Sequence, residues 1–79
     1  MLNKKGLRLV VSFHTTAAAM ETERLCKAEG IAGRLLPAPR SLTSDCGIAW
    51  AMEPTDRARF ERLASQEALE LAGIAELII

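Results

Sequence analysis

An α+β fold of two helices on one face of a four-stranded antiparallel sheet follows from three features of the sequence. Short β-branched or apolar runs alternate with two longer segments of helical periodicity. Threonine, proline and glycine stand where those segments begin and end. The 79 residues are 49% hydrophobic, enough for one layer of helices over one small sheet. One domain over residues 1–79 is expected.

The first strand is expected at Leu7-Arg8-Leu9-Val10-Val11-Ser12-Phe13, a short run with β-branched residues. His14-Thr15-Thr16 supplies helix-start chemistry, with a threonine as N-cap. The first helix should run to Glu29 and stop at Gly30, burying Ala18, Thr22, Leu25, Cys26 and the stem of Glu29. Ala32 to Leu36 reads as the second strand, ended by Pro37 and Pro39. Gly47 to Met52 reads as the third. Pro54-Thr55-Asp56 opens a second helix with Phe60, Leu63 and Ala64 on one face, extended by Ala68 or Leu69. After Gly73, Ile74 to Ile79 closes the chain as a fourth strand.

Strand, helix, strand, strand, helix, strand is the order of the ferredoxin-like split βαβ sandwich. Right-handed crossovers make strands one and two parallel, with strand three antiparallel between them. That topology brings three things to one edge of the sheet: the end of strand one, the start of helix one, and the loop between strands two and three. His14, Thr15 and Thr16 are thereby expected to approach Cys46 across thirty residues of chain.

Composition excludes several function classes. Ten basic and ten acidic residues give a net charge of zero, against a protein held to phosphates by basic excess. With two phenylalanines and no tyrosine, a base-stacking platform is not expected. No apolar run approaches the roughly 20 residues that span a bilayer. The basic start before Leu7–Phe13 lacks a small-residue cleavage site, and Arg8 interrupts it, so a signal peptide is not expected either. A cytoplasmic domain with reduced thiols is the expectation.

The loop Pro37-Ala38-Pro39-Arg40-Ser41-Leu42-Thr43-Ser44-Asp45-Cys46-Gly47 carries the chemistry. Cys46 ends a polar, proline-stiffened segment with Gly47 behind it and Arg40 in the same loop. A helix N-terminus and a cation lower a thiol pKa and raise the thiolate fraction. The alternative is a structural cysteine entering a strand, since an unoxidised cysteine also serves as a small hydrophobe. Asp45 acts against a reactive thiol if its carboxylate faces the sulfur. His14 is a candidate proton acceptor for Cys46, or simply a polar strand end. Arg40 is a candidate for stabilising the thiolate or an anion, or a solvated arginine, as is Arg34. Glu23 reads as a surface residue. Pro37, Pro39 and Gly47 shape the loop.

Cys26 reads as packing. Ten residues past Thr16, it lies about 15 Å down the helix axis. A disulfide needs Cα atoms about 4.4–6.8 Å apart, so a bridge to Cys46 is not expected. Two cysteines and one histidine without ligand spacing do not make a metal site.

The run from Ala28 through Gly33-Arg34-Leu35-Leu36-Pro37-Ala38-Pro39-Arg40 to Ser44-Asp45-Cys46-Gly47-Ile48-Ala49-Trp50 resembles the small bacterial family of selenium/sulfur carrier-like proteins. Phe13-His14-Thr15-Thr16 with Ala19-Met20 and Glu23 is similar to that family's first strand–helix junction. The most specific part is the Pro-x-Pro-Arg loop leading to Cys-Gly, in which Ala38 stands where a larger aliphatic residue is common. The resemblance implies a carrier cysteine at the position of Cys46, with no cofactor. It implies a carrier protein more than a stand-alone enzyme. Its partners would be a cysteine desulfurase-type donor and an acceptor enzyme.

Two other readings compete. One is a non-catalytic interaction module, a homodimer through the open sheet face formed from Trp50, Met52 and Leu77-Ile78-Ile79. The other is a redox-sensing thiol at Cys46.

Overall fold

The computed structural model describes residues 6–42 and 45–79. Strand β1 is Leu7–Ser12, helix α1 Thr16–Ala28, β2 Gly33–Pro37 and β3 Ile48–Met52. A 3-10 turn over Pro54–Asp56 leads into α2, Arg57–Gln66, and β4 is Gly73–Ile78. Each expected element is present, with ends moved by a residue or two. The second helix differs most. Its Pro54-Thr55-Asp56 start is the tighter turn, and it ends before Ala68 and Leu69, which lie beyond the helix.

The four strands form one sheet in the order β2-β3-β1-β4, and every neighbouring pair is antiparallel. Strand β3 therefore lies between β1 and β2, as the element order requires. Val11 pairs with Trp50 on one side and Ile74 on the other, and Trp50 in turn pairs with Leu35.

Alternation along the strands separates two faces. Leu9, Val11, Trp50 and Met52 join Phe13 and Ile31 beneath the helices, which contribute Ala19, Thr22 and Cys26 from α1 and Phe60 and Leu63 from α2. Burying a side chain of the size of Phe13 or Phe60 stabilises by about 1.5–3 kcal/mol, so this layer holds the fold. Ala18 and Leu25 pack at its margin, Ala19 takes the central place, and Glu29 is exposed. The self-association surface expected from Trp50 and Met52 is corrected here. Both are buried under the helices, at 0% and 2% exposure, because their register puts them on the covered face.

On the other face, Val10, Ala49 and Ala51 form a second buried cluster. Leu36, Ala38, Leu42, Leu77 and Ile79 pack around it. Small residues on the central strands let the loop after β2 lie close beneath the sheet. That loop carries the candidate chemistry.

Helix α1 begins as its sequence implies. Thr15 has extended backbone, and its Oγ1 accepts a hydrogen bond from Ala18 N at 3.1 Å. This satisfies one of the amides that a helix start leaves unpaired. The start is fixed two residues after His14.

Candidate functional site

Three contacts shape the loop between β2 and β3. At its base Ala38 N donates to Gly47 O at 2.9 Å, extending the hairpin by a rung. Beyond that, Leu42 N donates to Pro39 O at 3.1 Å, closing a turn with Arg40 and Ser41 exposed at its tip. Underneath, Leu42 packs on the Val10, Ala49 and Ala51 cluster. Its Cδ1 lies 3.5 Å from the place a Cβ on Gly73 would take, so the loop reaches across the sheet to the start of β4. Gly47 returns the chain to β3 with φ +76°, a left-handed conformation that costs other residues roughly 1–2 kcal/mol. Thr43 and Ser44 of the loop motif lie outside the described residues.

His14 and the loop meet, as the topology predicts, but the contact is with Asp45. His14 Nδ1 and Asp45 Oδ2 are 2.7 Å apart, and both side chains are more than half exposed. The carboxylate beside Cys46 is thus directed to the imidazole.

Cys46 is half-buried and packs against the helix-side core. Its Sγ donates to the carbonyl oxygen of Ile48 at 3.6 Å. A thiol S–H can donate in that contact, whereas a thiolate, which only accepts, cannot. Arg40 and Arg34 are exposed, and Pro37 ends β2 opposite Ile48. Pro39 is half-buried at the first position of the turn.

Cys26 lies deeper than Cys46. It is fully buried on α1, and burial pushes its thiol up to about 11, since a thiolate loses hydration there. No disulfide joins the two cysteines. Among the described residues no cluster of three or more His, Cys, Asp or Glu side chains could hold a metal ion. Among the described residues no helix is long and apolar enough to cross a membrane.

Sequence reasoning placed His14 beside the loop but missed its partner and the Leu42 anchor. The signal for the first was available, because His14 is the sole histidine and Asp45 the sole acid in that loop.

The sequence profile of the family described as "Putative Se/S carrier protein-like" matches residues 8–76. That span runs from β1 to β4 and includes the whole loop with Cys46. The chain belongs to this family. No curated protein and no solved structure matches the chain. The Se/S carrier family therefore supplies a theme, and the geometry of this member must supply the residues. Of its two thiols, only Cys46 stands at the surface of the motif loop.

Proposed function

We propose that this member of the Se/S carrier family carries sulfur or selenium on Cys46, as a persulfide or perselenide. The contrast between the two thiols carries the reading: Cys26 is sealed in the core with its pKa raised, whereas Cys46 sits on the loop. A ferredoxin-like arrangement would carry that loop to the start of α1, and the His14–Asp45 contact supports this reading.

In the proposed transfer, Cys46 loses its proton and its thiolate attacks the outer sulfur of a donor persulfide, R–S–S–H. The bond from Cys46 sulfur to that atom forms as the R–S bond to it breaks. R–S⁻ leaves with the electron pair and takes up a proton. The products are Cys46–S–S–H and R–SH, so nothing is oxidised or reduced overall. Rate in such exchange follows thiolate fraction, access and leaving-group pKa. Arg40, at the exposed turn, would steady the anionic cargo, and the positive end of α1 begins close to His14. A cysteine desulfurase fits as donor, an acceptor enzyme as recipient, and a reducing cytoplasm as the setting.

Mass spectrometry after incubation with a desulfurase and cysteine tests this. One added sulfur is expected on wild type and on Cys26→Ser, and none on Cys46→Ser. Wild type that stays unmodified at stoichiometric desulfurase sinks the carrier reading. Added oxygen at Cys46 without a sulfur donor would instead favour a redox-sensing thiol.

A second reading rests on the half-buried apolar residues Leu36, Leu42, Leu77 and Ile79 on the sheet face opposite the helices. It makes that face a homodimer interface, from which Trp50 and Met52 are excluded by their burial. Light scattering across a concentration series decides it: a monomer at all concentrations removes the interface.

A further inference from the structure

The 2.7 Å contact between His14 Nδ1 and Asp45 Oδ2 joins residues 31 apart in sequence. An ionised carboxylate only accepts hydrogen bonds, so the imidazole must present Nδ1–H to it. In the neutral ring the other nitrogen, Nε2, then carries the lone pair, on the opposite side. Because both partners are more than half exposed, the pair adds little to stability. What it does fix is the tautomer and direction of the only histidine, beside the residue that precedes Cys46. The other polar neighbour, Thr15, has its hydroxyl engaged at the helix start. Among the described residues, Asp45 is the charged group that reaches His14.

We propose that Asp45 is a positioning residue for His14, and that His14 Nε2 shuttles the proton in sulfur exchange at Cys46. The proposal rests on the carrier reading and adds to it the path of the proton. Cys46 gives its proton to Nε2, and Asp45 stabilises the imidazolium that results. The new thiolate can no longer donate to Ile48 O and turns from that carbonyl toward the loop surface. It bonds to the outer sulfur of R–S–S–H, the R–S⁻ group departs, and Nε2 returns the proton to it. His14 ends as it began, and sulfur has passed between two thiols with no net redox change.

The sign of one substitution separates this from simple electrostatics. A carboxylate that merely sits near a thiol raises its pKa, so Asp45→Asn would then speed alkylation of Cys46. A carboxylate that holds the base in place acts the other way. With iodoacetamide at neutral pH, Asp45→Asn and His14→Gln should each slow Cys46 alkylation roughly tenfold, on the scale of a modest general-base effect. The double variant should be no slower than either single one, and Asp45→Glu should recover part of the rate. Nitrogen NMR of the single imidazole should show Nδ1–H in wild type and a shift toward Nε2–H in Asp45→Asn. A wild-type ring protonated at Nε2 overturns the proposal, even if the variants fold poorly. So does faster alkylation in Asp45→Asn, or one pH–rate profile shared by all the proteins. Alkylation needs no sulfur donor, so the relay and the carrier reading can fail separately. A Cys46 with the expected profile that takes no sulfur from a desulfurase supports the relay and removes the carrier.

Discussion

Gly30 and Ala68 hold the same place in two helix ends. After α1, Ile31 N donates to Cys26 O at 2.8 Å and Gly30 N to Lys27 O at 3.2 Å. After α2, Leu69 N donates to Ala64 O at 3.0 Å and Ala68 N to Ser65 O at 3.4 Å. Both are Schellman closures, which need a left-handed residue just past the C-cap. Gly30 supplies it at φ 77°, whereas Ala68 is forced to φ 51° with a Cβ in the way. Left-handed alanine costs roughly 1–2 kcal/mol, and glycine gives back part of the relief through its freer unfolded chain. Ala68→Gly should therefore stabilise the domain by about 0.5–1 kcal/mol, raising Tm by roughly 4 °C. Thermal unfolding followed by Trp50 fluorescence measures it. A lower Tm would mean that this helix end is held by something other than its closure.

Arg59 couples the two helices through one of those ends. Its Nη2 donates to Glu29 O at 2.6 Å, on the C-cap residue of α1, and Nη1 is 3.5 Å from Asp56. A cation at a helix C-terminus is favourable both as a donor and against the helix dipole. The group is half-exposed, so Arg59→Ala should cost only about 1 kcal/mol in urea unfolding. Amide exchange at Gly30 and Ile31 should rise more than at Val10 or Val11. Equal change across both regions would show that the arginine does not act at the helix end.

Leu42 pins the loop to the underside of the sheet. Its side chain packs on Val10, Ala49 and Ala51 while its amide closes the turn over Arg40 and Ser41. Because Leu42 is only half-buried, Leu42→Ala should cost about 1–2 kcal/mol, below the range for a full core leucine. Its local effect should be larger than its global one. The Ala38 and Leu42 amides should exchange faster under native conditions, and Cys46 alkylation should quicken as the loop loosens. If those amides keep their wild-type exchange while global stability falls, Leu42 is ordinary packing and no anchor.

The parts of this fold that were legible in sequence are those set by local rules. Thr15 as a cap, Gly30 as a stop and Phe60 with Leu63 on one stripe follow from helix chemistry alone. The element order then placed β3 beside β1, and with it the loop beside His14. What stayed hidden depends on side-chain direction after the strands have paired. Trp50 could not be assigned a face from an apolar run, because Ile48 to Met52 is hydrophobic on both sides and period-2 alternation is absent. Both sides prove buried, the helix side by large residues and the other by Ala49 and Ala51. Asp45 looked like a threat to the Cys46 thiolate, and only the crossing of loop and strand end shows it turned to His14. Leu42 gave no periodic signal, since it lies in a loop and its contacts come from three strands.

Cys26 predicts a pH dependence whose sign is fixed by burial. The folded thiol keeps its proton until about 11, while an unfolded thiol ionises from about 9. Below the unfolded value both states hold the proton, and the contribution of this group to stability is complete. As pH rises toward 11 the unfolded state sheds its proton first, so stability drains away by roughly 2–3 kcal/mol in that window. Urea midpoints between pH 8 and 10.5 should fall for wild type, and fall less steeply for Cys26→Ala. The alanine variant should itself be about 1 kcal/mol less stable at neutral pH, from the cavity left in the helix-side core. Parallel slopes would show that other groups set the alkaline limit. The same burial makes a kinetic statement: a disulfide reagent at pH 8 should modify Cys46 in the native protein and reach Cys26 only after unfolding. Modification of Cys26 at the rate of Cys46 would mean that α1 opens readily, and that the core does not protect its thiol.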